Sequence, residues 1–494
     1  MDLKYISTRG LDKEYTASAA VIRGLADDGG LFVPKSIPKL DVPVSALVGK
    51  GYKETAYEVL KLYFADYTEA ELKECIDKAY DDKFDTKECA PLVCHDGQYY
   101  LELFHGPTIA FKDMALSILP HLLTCALKKN DIKDKVVIMT ATSGDTGKAA
   151  LAAFADVPDT SIIVFYPKGG VSSIQERQMV TQKGANTKVI GVKGNFDDCQ
   201  TGVKKMFNDE ELKSLIASNG YRFSSANSIN IGRLFPQVAY YVYAYVKMVE
   251  NGAIKDGDSL NFSVPTGNFG NILAAFFAKK MGLPIGKLIC ASNENKVLFD
   301  FFQTGTYDRM RDFILTTSPS MDILISSNLE RLIYLSCGCD AKKNAELMEE
   351  LSASGKYSVS DESRRYMDDF TGIYATEDQV ASTIKETYEK CGYVIDTHTA
   401  VATFANNEYK KTDKTPSVII STASPYKFAG SVLRAIDPAL VSDDDFEMAD
   451  RMSEISKVAI PYAISSIKDA KVLHDTVCTV EAMKDNVINV LGLA

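Results

Sequence analysis

One lysine of this chain sits among residues that suit a nucleophile better than a surface. Lys112 falls near the end of LELFHGPTIAFKD, residues 101–113, an apolar stretch punctuated by glycine and proline and followed by a helix-forming run. Burial disfavours the ammonium form, and the neutral amine that results can attack an aldehyde and afterwards move protons. That chemistry needs an aldehyde-bearing partner. If the partner carries a phosphate and a pyridine ring, the chain must also supply an anion cradle and a group to face the ring nitrogen.

Three later loops have the residues for those tasks. In NFSVPTGNFGNILAAFFAKK, residues 261–280, a strand should end at Pro265 and a helix begin near Asn271. The turn between them holds two glycines, which allow close backbone approach, and the new helix offers unpaired N–H donors to an anion. In VVIMTATSGDTGKAALAAFA, residues 136–155, Ser143, Gly144, Asp145, Thr146 and Gly147 form a polar turn before an alanine-rich helix. It can present hydroxyls and amides at a helix start, and a plain N-cap explains it equally well. A nucleotide P-loop is excluded, because Gly144 and Gly147 are three apart and Lys148 is followed by alanine. In SVIISTASPYKFAG, residues 417–430, a strand delivers Ser421 and Thr422 to a loop, where a hydroxyl can meet a pyridine nitrogen.

Other reactive side chains fit structural work better. His105, seven residues before Lys112, and His398 are expected to orient loops or pack beneath the site. Cys89 and Cys94 with His95, and Cys337 with Cys339, lack the paired spacing of a metal site, so no metal is expected.

These loops have to be carried by elements of a large α/β protein. The chain has 494 residues, enough for two or more domains. A net charge of −11 argues against a nucleic-acid partner, which would require a basic face. The absence of a long apolar run argues against a membrane partner, and scattered cysteines suit a reducing cytoplasm. Spacing predicts helices over Lys53–Ala65 and Glu69–Asp82 and an aromatic core helix over 237–249. Residues 341–395 read as charged and helix-forming. Short apolar runs at 135–140, 161–166, 187–192, 261–265, 287–291 and 417–421 alternate with helical segments. That pattern indicates parallel sheets covered on both faces, in two lobes with a cleft between them. The expected division is a mainly helical domain over 1–90, a large α/β domain over 91–130 and 225–440, a small α/β domain over 131–224, and a helical extension over 441–494.

Taken together, these segments resemble the threonine synthase family, a fold-type II group of pyridoxal-phosphate enzymes. The likeness runs from GLADDGGLFVP (24–34) through HGPTIAFKD, TATSGDTGKAA, SSANSINIGRL (224–234), VPTGNFGNI and SPSMDILISSNLERL (318–332). It implies two open, mainly parallel-sheet lobes of the tryptophan synthase β-like kind. It implies pyridoxal 5′-phosphate as cofactor, with Lys112 as the Schiff-base lysine and proton-transfer base. Gly267, Asn268, Phe269, Gly270 and Asn271 would cradle the cofactor phosphate, and Thr422 would face the pyridine nitrogen. Ser143, Asp145 and Thr146 would lie beside the substrate carboxylate or the cofactor O3′, and Asn227, Ser228 and Arg233 would take the substrate's phosphate. Asn271 stands where many relatives carry aspartate, and Gly232 and Pro236 replace expected alanines around Arg233.

The reaction implied converts O-phospho-L-homoserine and water to L-threonine and phosphate, in a cytoplasmic monomer or homodimer. The nearest alternative is a phospholyase on the same scaffold, which would release a keto acid. A phosphometabolite-binding protein without catalysis is more distant.

Overall fold

The computed structural model describes residues 3–10, 13–142 and 144–493. Near the N-terminus a short antiparallel pair, β1 (Tyr5–Ser7) and β2 (Phe32–Pro34), accompanies the helices Tyr52–Tyr63 and Glu69–Ala79. The second helix starts with a reciprocal cap: the Glu71 amide donates to Thr68 Oγ1 at 3.3 Å and the Thr68 amide to the Glu71 carboxylate at 2.8 Å. It stops three residues earlier than its spacing predicts. Tyr80 leaves the helical region (φ −111°, ψ 59°) and donates its hydroxyl to the carbonyl of Met114 at 2.7 Å. The N-terminal helices are thereby tied to the short helix that begins at Lys112.

A hairpin, β3 (Leu92–His95) and β4 (Gln98–Glu102), comes next, then β5 (Lys135–Ala141), β6 (Thr160–Pro167), β7 (Thr187–Val192) and β8 (Tyr221–Ser224). Beyond them lie β9 (Leu260–Pro265), β10 (Ile285–Ser292), the pair β11 (Thr306–Asp308) and β12 (Lys356–Ser358), β13 (Phe370–Tyr374), β14 (Ser417–Ser421) and β15 (Val477–Cys478). The large sheet has the order β13-β10-β9-β14-β4-β3 and is parallel except at the β3 edge. The smaller sheet, β15-β7-β6-β5-β8, is parallel throughout. Every residue of β9 and β14 is buried, as expected for central strands covered by helices on both faces.

Each of the six apolar runs forms a strand, within two residues at each end. The structure corrects the C-terminal extension, which was expected to be helical. Val477 and Cys478 add a parallel edge strand to the small sheet, and the following helix Met483–Val490 packs on the same lobe. Two residues are too few to show a strand's period of two, so the pairing partner decides the conformation. For the same reason β8 and the edge strand β13, inside a charged helix-forming stretch, leave no clear signal.

The helix Pro236–Glu250 is buried almost all round, and its tyrosines are turned to use. Tyr240 and Tyr241 donate their hydroxyls to Asn271 Oδ1 at 2.5 and 2.6 Å, so the core holds one residue of the candidate cradle in place.

Candidate active site

The loop before Lys112 is held by its own sequence. Asp113 turns back on it and accepts from the Thr108 amide at 2.7 Å and from Thr108 Oγ1 at 2.6 Å. A Cβ at position 106 would lie 2.5 Å from Cβ of Asp113, so only glycine fits there. Ile109 is held at φ 54°, a left-handed conformation that costs a β-branched residue about 1–2 kcal/mol. Its carbonyl accepts from the Ser424 amide at 3.0 Å, and the Phe111 amide donates to the Thr422 carbonyl at 2.8 Å. Lys112 and Thr422, separated by 310 positions, thus meet through the backbone at the end of β14.

The side chain of Lys112 is 11% exposed. Its Nζ donates to Ser320 Oγ at 3.1 Å and lies 3.5 Å from Asp145 Oδ2. Burial pushes the amine below the usual lysine value, Asp145 pulls it up, and Lys427 and Arg233 push it further down. Asp145 opens the helix Asp145–Phe154 of the small lobe, and its partners come largely from the other lobe. Its Oδ2 accepts from Ser320 Oγ at 3.0 Å, while its Oδ1 lies 3.2 Å from Lys427 Nζ and accepts from Gln175 Nε2 at 3.0 Å. Burial opposes the charge of Asp145, yet Lys427, Lys112, the Gln175 hydrogen bond and His398 together hold its carboxyl below the usual range.

Ser320 is placed by a buried pair behind it. Its amide donates to His398 Nε2 at 3.2 Å, and His398 Nδ1 lies 2.7 Å from Asp396 Oδ2. Asp396 also caps the helix Thr397–Tyr409, accepting from the amides of His398 and Thr399. His398 therefore hydrogen-bonds beneath the site, as the sequence suggests.

The loop after β9 is built to hold an anion. Phe269 takes the left-handed conformation (φ 64°), while its buried ring packs 5.5 Å from Phe370 and offsets the strain. The Gly267 carbonyl accepts from Ser326 Oγ at 2.7 Å, and the Asn268 carbonyl from both the amide and Nδ2 of Asn328 at 3.1 Å. With the carbonyls tied back, the amides of residues 267–271 have no acceptor among the described residues. Nδ2 of Asn271 is buried and likewise lacks a partner. A run of open amides at a helix start beside one buried, unpartnered amide nitrogen is completed by an anion, so this loop fits a phosphate.

Of the residues expected to take a substrate phosphate, Ser228 is linked to this loop through Asn328. Ser228 Oγ accepts from Nδ2 of Asn328, the same group that reaches Asn268, at 3.1 Å. Arg233 is 6% exposed, donates from Nη1 to the Ala226 carbonyl at 2.8 Å, and has no carboxylate partner among the described residues. Burial brings its guanidinium down to about 10. Asn227 is exposed at the rim. Arg331 is completely buried and braces this wall, with Nε donating to the Phe32 carbonyl at 2.9 Å and its two terminal nitrogens to Asn328 Oδ1 and the Ile229 carbonyl.

Of the sequence-derived candidates, the structure brings Lys112 and Asp145 into direct contact and ties Thr422 to the lysine loop. Ser228 is linked to the cradle, and Gly267, Asn268, Phe269, Gly270 and Asn271 form one turn. Thr146 lies in the first turn of the Asp145 helix. Ser143 lies outside the described residues. Both ring nitrogens of His105 are engaged, by Asp85 at 2.6 Å and Glu102 at 2.9 Å. Burial works against the imidazolium, but these carboxylates raise it to about 9, which marks it as a loop anchor. Sequence reasoning missed Ser320, Lys427, Gln175 and Asn328. Ser320 and Asn328 stand in SPSMDILISSNLERL and Lys427 follows Pro425 in SPYKF, but only folding points Ser320 and Lys427 at Asp145 and Asn328 at Ser228 and the Asn268 carbonyl.

Three family profiles match this chain. Threonine synthase N terminus matches residues 4–80, pyridoxal-phosphate dependent enzyme residues 97–422, and threonine synthase, C-terminal, residues 399–477. Threonine synthase-like 1 of Homo sapiens is 42% identical over 454 residues, covering 87% of this chain. The chain spans 60% of the length of that relative. Threonine synthase of Pseudomonas aeruginosa is 39% identical over 440 residues, which cover 88% of this chain and 90% of the relative. The crystal structure of pyridoxal-phosphate-bound threonine synthase from Brucella melitensis superposes with a TM-score of 0.88 at 36% identity, covering 99% of each chain.

Proposed function

Because the chain belongs to the threonine synthase family of pyridoxal-phosphate-dependent enzymes, we propose that it converts O-phospho-L-homoserine and water to L-threonine and phosphate. In class it is a carbon–oxygen lyase acting on a phosphate ester. The observation that carries the reading is the presence of two anion positions around one desolvated amine. The open amides of residues 267–271 suit the phosphate of the cofactor. The buried guanidinium of Arg233, short of a carboxylate, suits the phosphate of the substrate.

Pyridoxal phosphate, when bound, supplies an aldehyde for Lys112 and an electron sink that acidifies the substrate next to its amino group. The residues of this chain do the rest. Burial and the nearby Lys427 and Arg233 push the Lys112 amine below the usual lysine value, which favours the neutral form that can accept the proton from Cα and return one later. Ser320 and Asp145 orient that amine from opposite lobes. A proton leaves Cβ and its electrons form a Cβ–Cγ double bond as the phosphate, held by Arg233 and Ser228, leaves Cγ with the electrons of its C–O bond. The hydroxyl of water then adds at Cβ and a proton at Cγ. Arg suits the phosphate because its fork presents paired donors to the oxygens. The cleft between the lobes excludes bulk water while charge develops. Thr422 would face the ring nitrogen of the bound cofactor with a neutral hydroxyl. Among the described residues no helix is long and apolar enough to cross a membrane. We place the enzyme in the cytoplasm, acting as a monomer or homodimer.

Product analysis tests the reading. Purified protein with pyridoxal phosphate and O-phospho-L-homoserine should release threonine and phosphate in equal amounts, and Lys112→Ala should release neither. Phosphate accompanied by a keto acid and ammonia would assign the phospholyase reaction instead. No turnover by a protein that binds the cofactor would reject the substrate.

A further inference from the structure

Lys427 has 0% side-chain exposure, in a short turn after β14. Its Nζ donates to the carbonyl of Thr108 at 3.0 Å and lies 3.2 Å from Asp145 Oδ1. The other oxygen of the same carboxylate faces Lys112 at 3.5 Å and Ser320 at 3.0 Å. Asp145 is therefore shared by two lysines, one on each oxygen.

A single buried carboxylate beside Lys112 would present a difficulty. An isolated lysine–aspartate pair favours the ammonium form, in which the lysine is neither nucleophile nor base. We propose that Lys427 is a positioning residue for Lys112: it supplies the counter-charge of Asp145, so that the carboxylate orients the Lys112 amine without holding a proton on it. With Lys427 charged, Asp145 ionised and Lys112 neutral, the trio sums to zero. Protonating Lys112 adds a second ammonium to a buried site already balanced. Lys427 can hold this place because Thr108, the residue that braces the lysine loop through Asp113, also fixes the ammonium. The other groups that face the trio are Arg233, which also disfavours a charged Lys112, and His398, whose Nε2 accepts from the Ser320 amide. Asp113 and Lys148 lie within electrostatic reach of Lys427.

The inference rests on Lys112 being the cofactor lysine, but it is tested without substrate or turnover. The full-length chain, freed of cofactor, is pulse-labelled with acetic anhydride across a pH series, and acetylation of Lys112 is read by peptide mass spectrometry. In Lys427→Met the inflection for Lys112 should rise by about one pH unit, so that labelling below it slows about tenfold. Lys427→Arg, which keeps the charge, should retain the wild-type inflection. A purely structural Lys427 would leave the inflection of a natively folded Lys427→Met unmoved, and that result overturns the proposal. If Lys427→Met does not fold, Asp145→Asn decides. With the anion gone and Lys427 still charged, the inflection should fall below wild type, and a rise or no change overturns the proposal. A protein that made no threonine would leave this readout intact, so the two readings fail separately.

Discussion

Two strand-to-helix loops of this molecule look alike in sequence and behave differently. One reads Thr142-Ser143-Gly144-Asp145-Thr146-Gly147 in the small lobe, and the other reads Thr266-Gly267-Asn268-Phe269-Gly270 in the large lobe. In the small lobe Thr142 Oγ1 accepts from the amides of Gly144 at 3.0 Å and Gly147 at 2.9 Å, so the turn closes on itself. In the large lobe Thr266 Oγ1 donates away from the turn, to the Val264 carbonyl at 2.7 Å, and the amides stay open. The first loop contributes a charged side chain, Asp145, and the second contributes backbone donors. The direction of one threonine hydroxyl, more than the spacing of the glycines, separates a cap from an anion cradle.

The contrast can be broken most severely at Gly267. A Cβ there would lie 2.7 Å from the Ser320 carbonyl, and Ser320 in turn touches Lys112. Gly267→Ala should weaken pyridoxal-phosphate binding at least 100-fold, or about 2.7 kcal/mol, in a titration followed by visible absorbance. Retained affinity would mean that the large-lobe loop is not the cradle.

Arg233→Ala sharpens the division between the two phosphates. It should raise KM for O-phospho-L-homoserine about 30-fold, near 2 kcal/mol of lost binding, while leaving cofactor affinity within about twofold. Parallel loss of both would merge the two anion positions into one.

Thr142→Val is the converse lesion. Removing a hydroxyl that caps two amides should cost about 1 kcal/mol in urea unfolding and leave cofactor affinity nearly unchanged. A large loss of cofactor would make the small-lobe loop a second cradle.

A pH-dependent effect is expected at the anchor on the far side of the lysine loop. His105 ordinarily titrates near 6.5 and is raised to about 9 in the fold. A raised pKa means that its ion pairs stabilise the protein fully below about pH 6.5 and that this stabilisation is lost as pH climbs through about 9. Wild type should therefore exceed His105→Gln in stability at pH 6 and lose that advantage by about pH 10, as read by thermal unfolding. A difference that does not vary with pH would remove the charge from the account.

Much of this was legible before folding, and particular residues show why. The strands β7 and β14 match their apolar runs residue for residue, because a strand buried on both faces is written as a continuous hydrophobic stretch. Lys112 and the glycines of the cradle were also legible, since a desolvated lysine and a close backbone approach each restrict the residue types nearby. The family resemblance puts Asn271 in the cradle, but its orientation depends on Tyr240 and Tyr241, which arrive on another helix. β15 was illegible because two residues carry no periodicity.

The sequence by itself determined two parallel-sheet lobes, a lysine in an apolar loop and a glycine-marked turn before a helix, since each depends on local composition and short-range pattern. The tertiary structure alone decided the electrostatics of the lysine. Asp145, Ser320 and Lys427 lie 33, 208 and 315 positions from Lys112, and nothing local marks them as its partners. Their charges and hydrogen bonds act through distances of 3 to 3.5 Å that exist only once the two lobes are packed together.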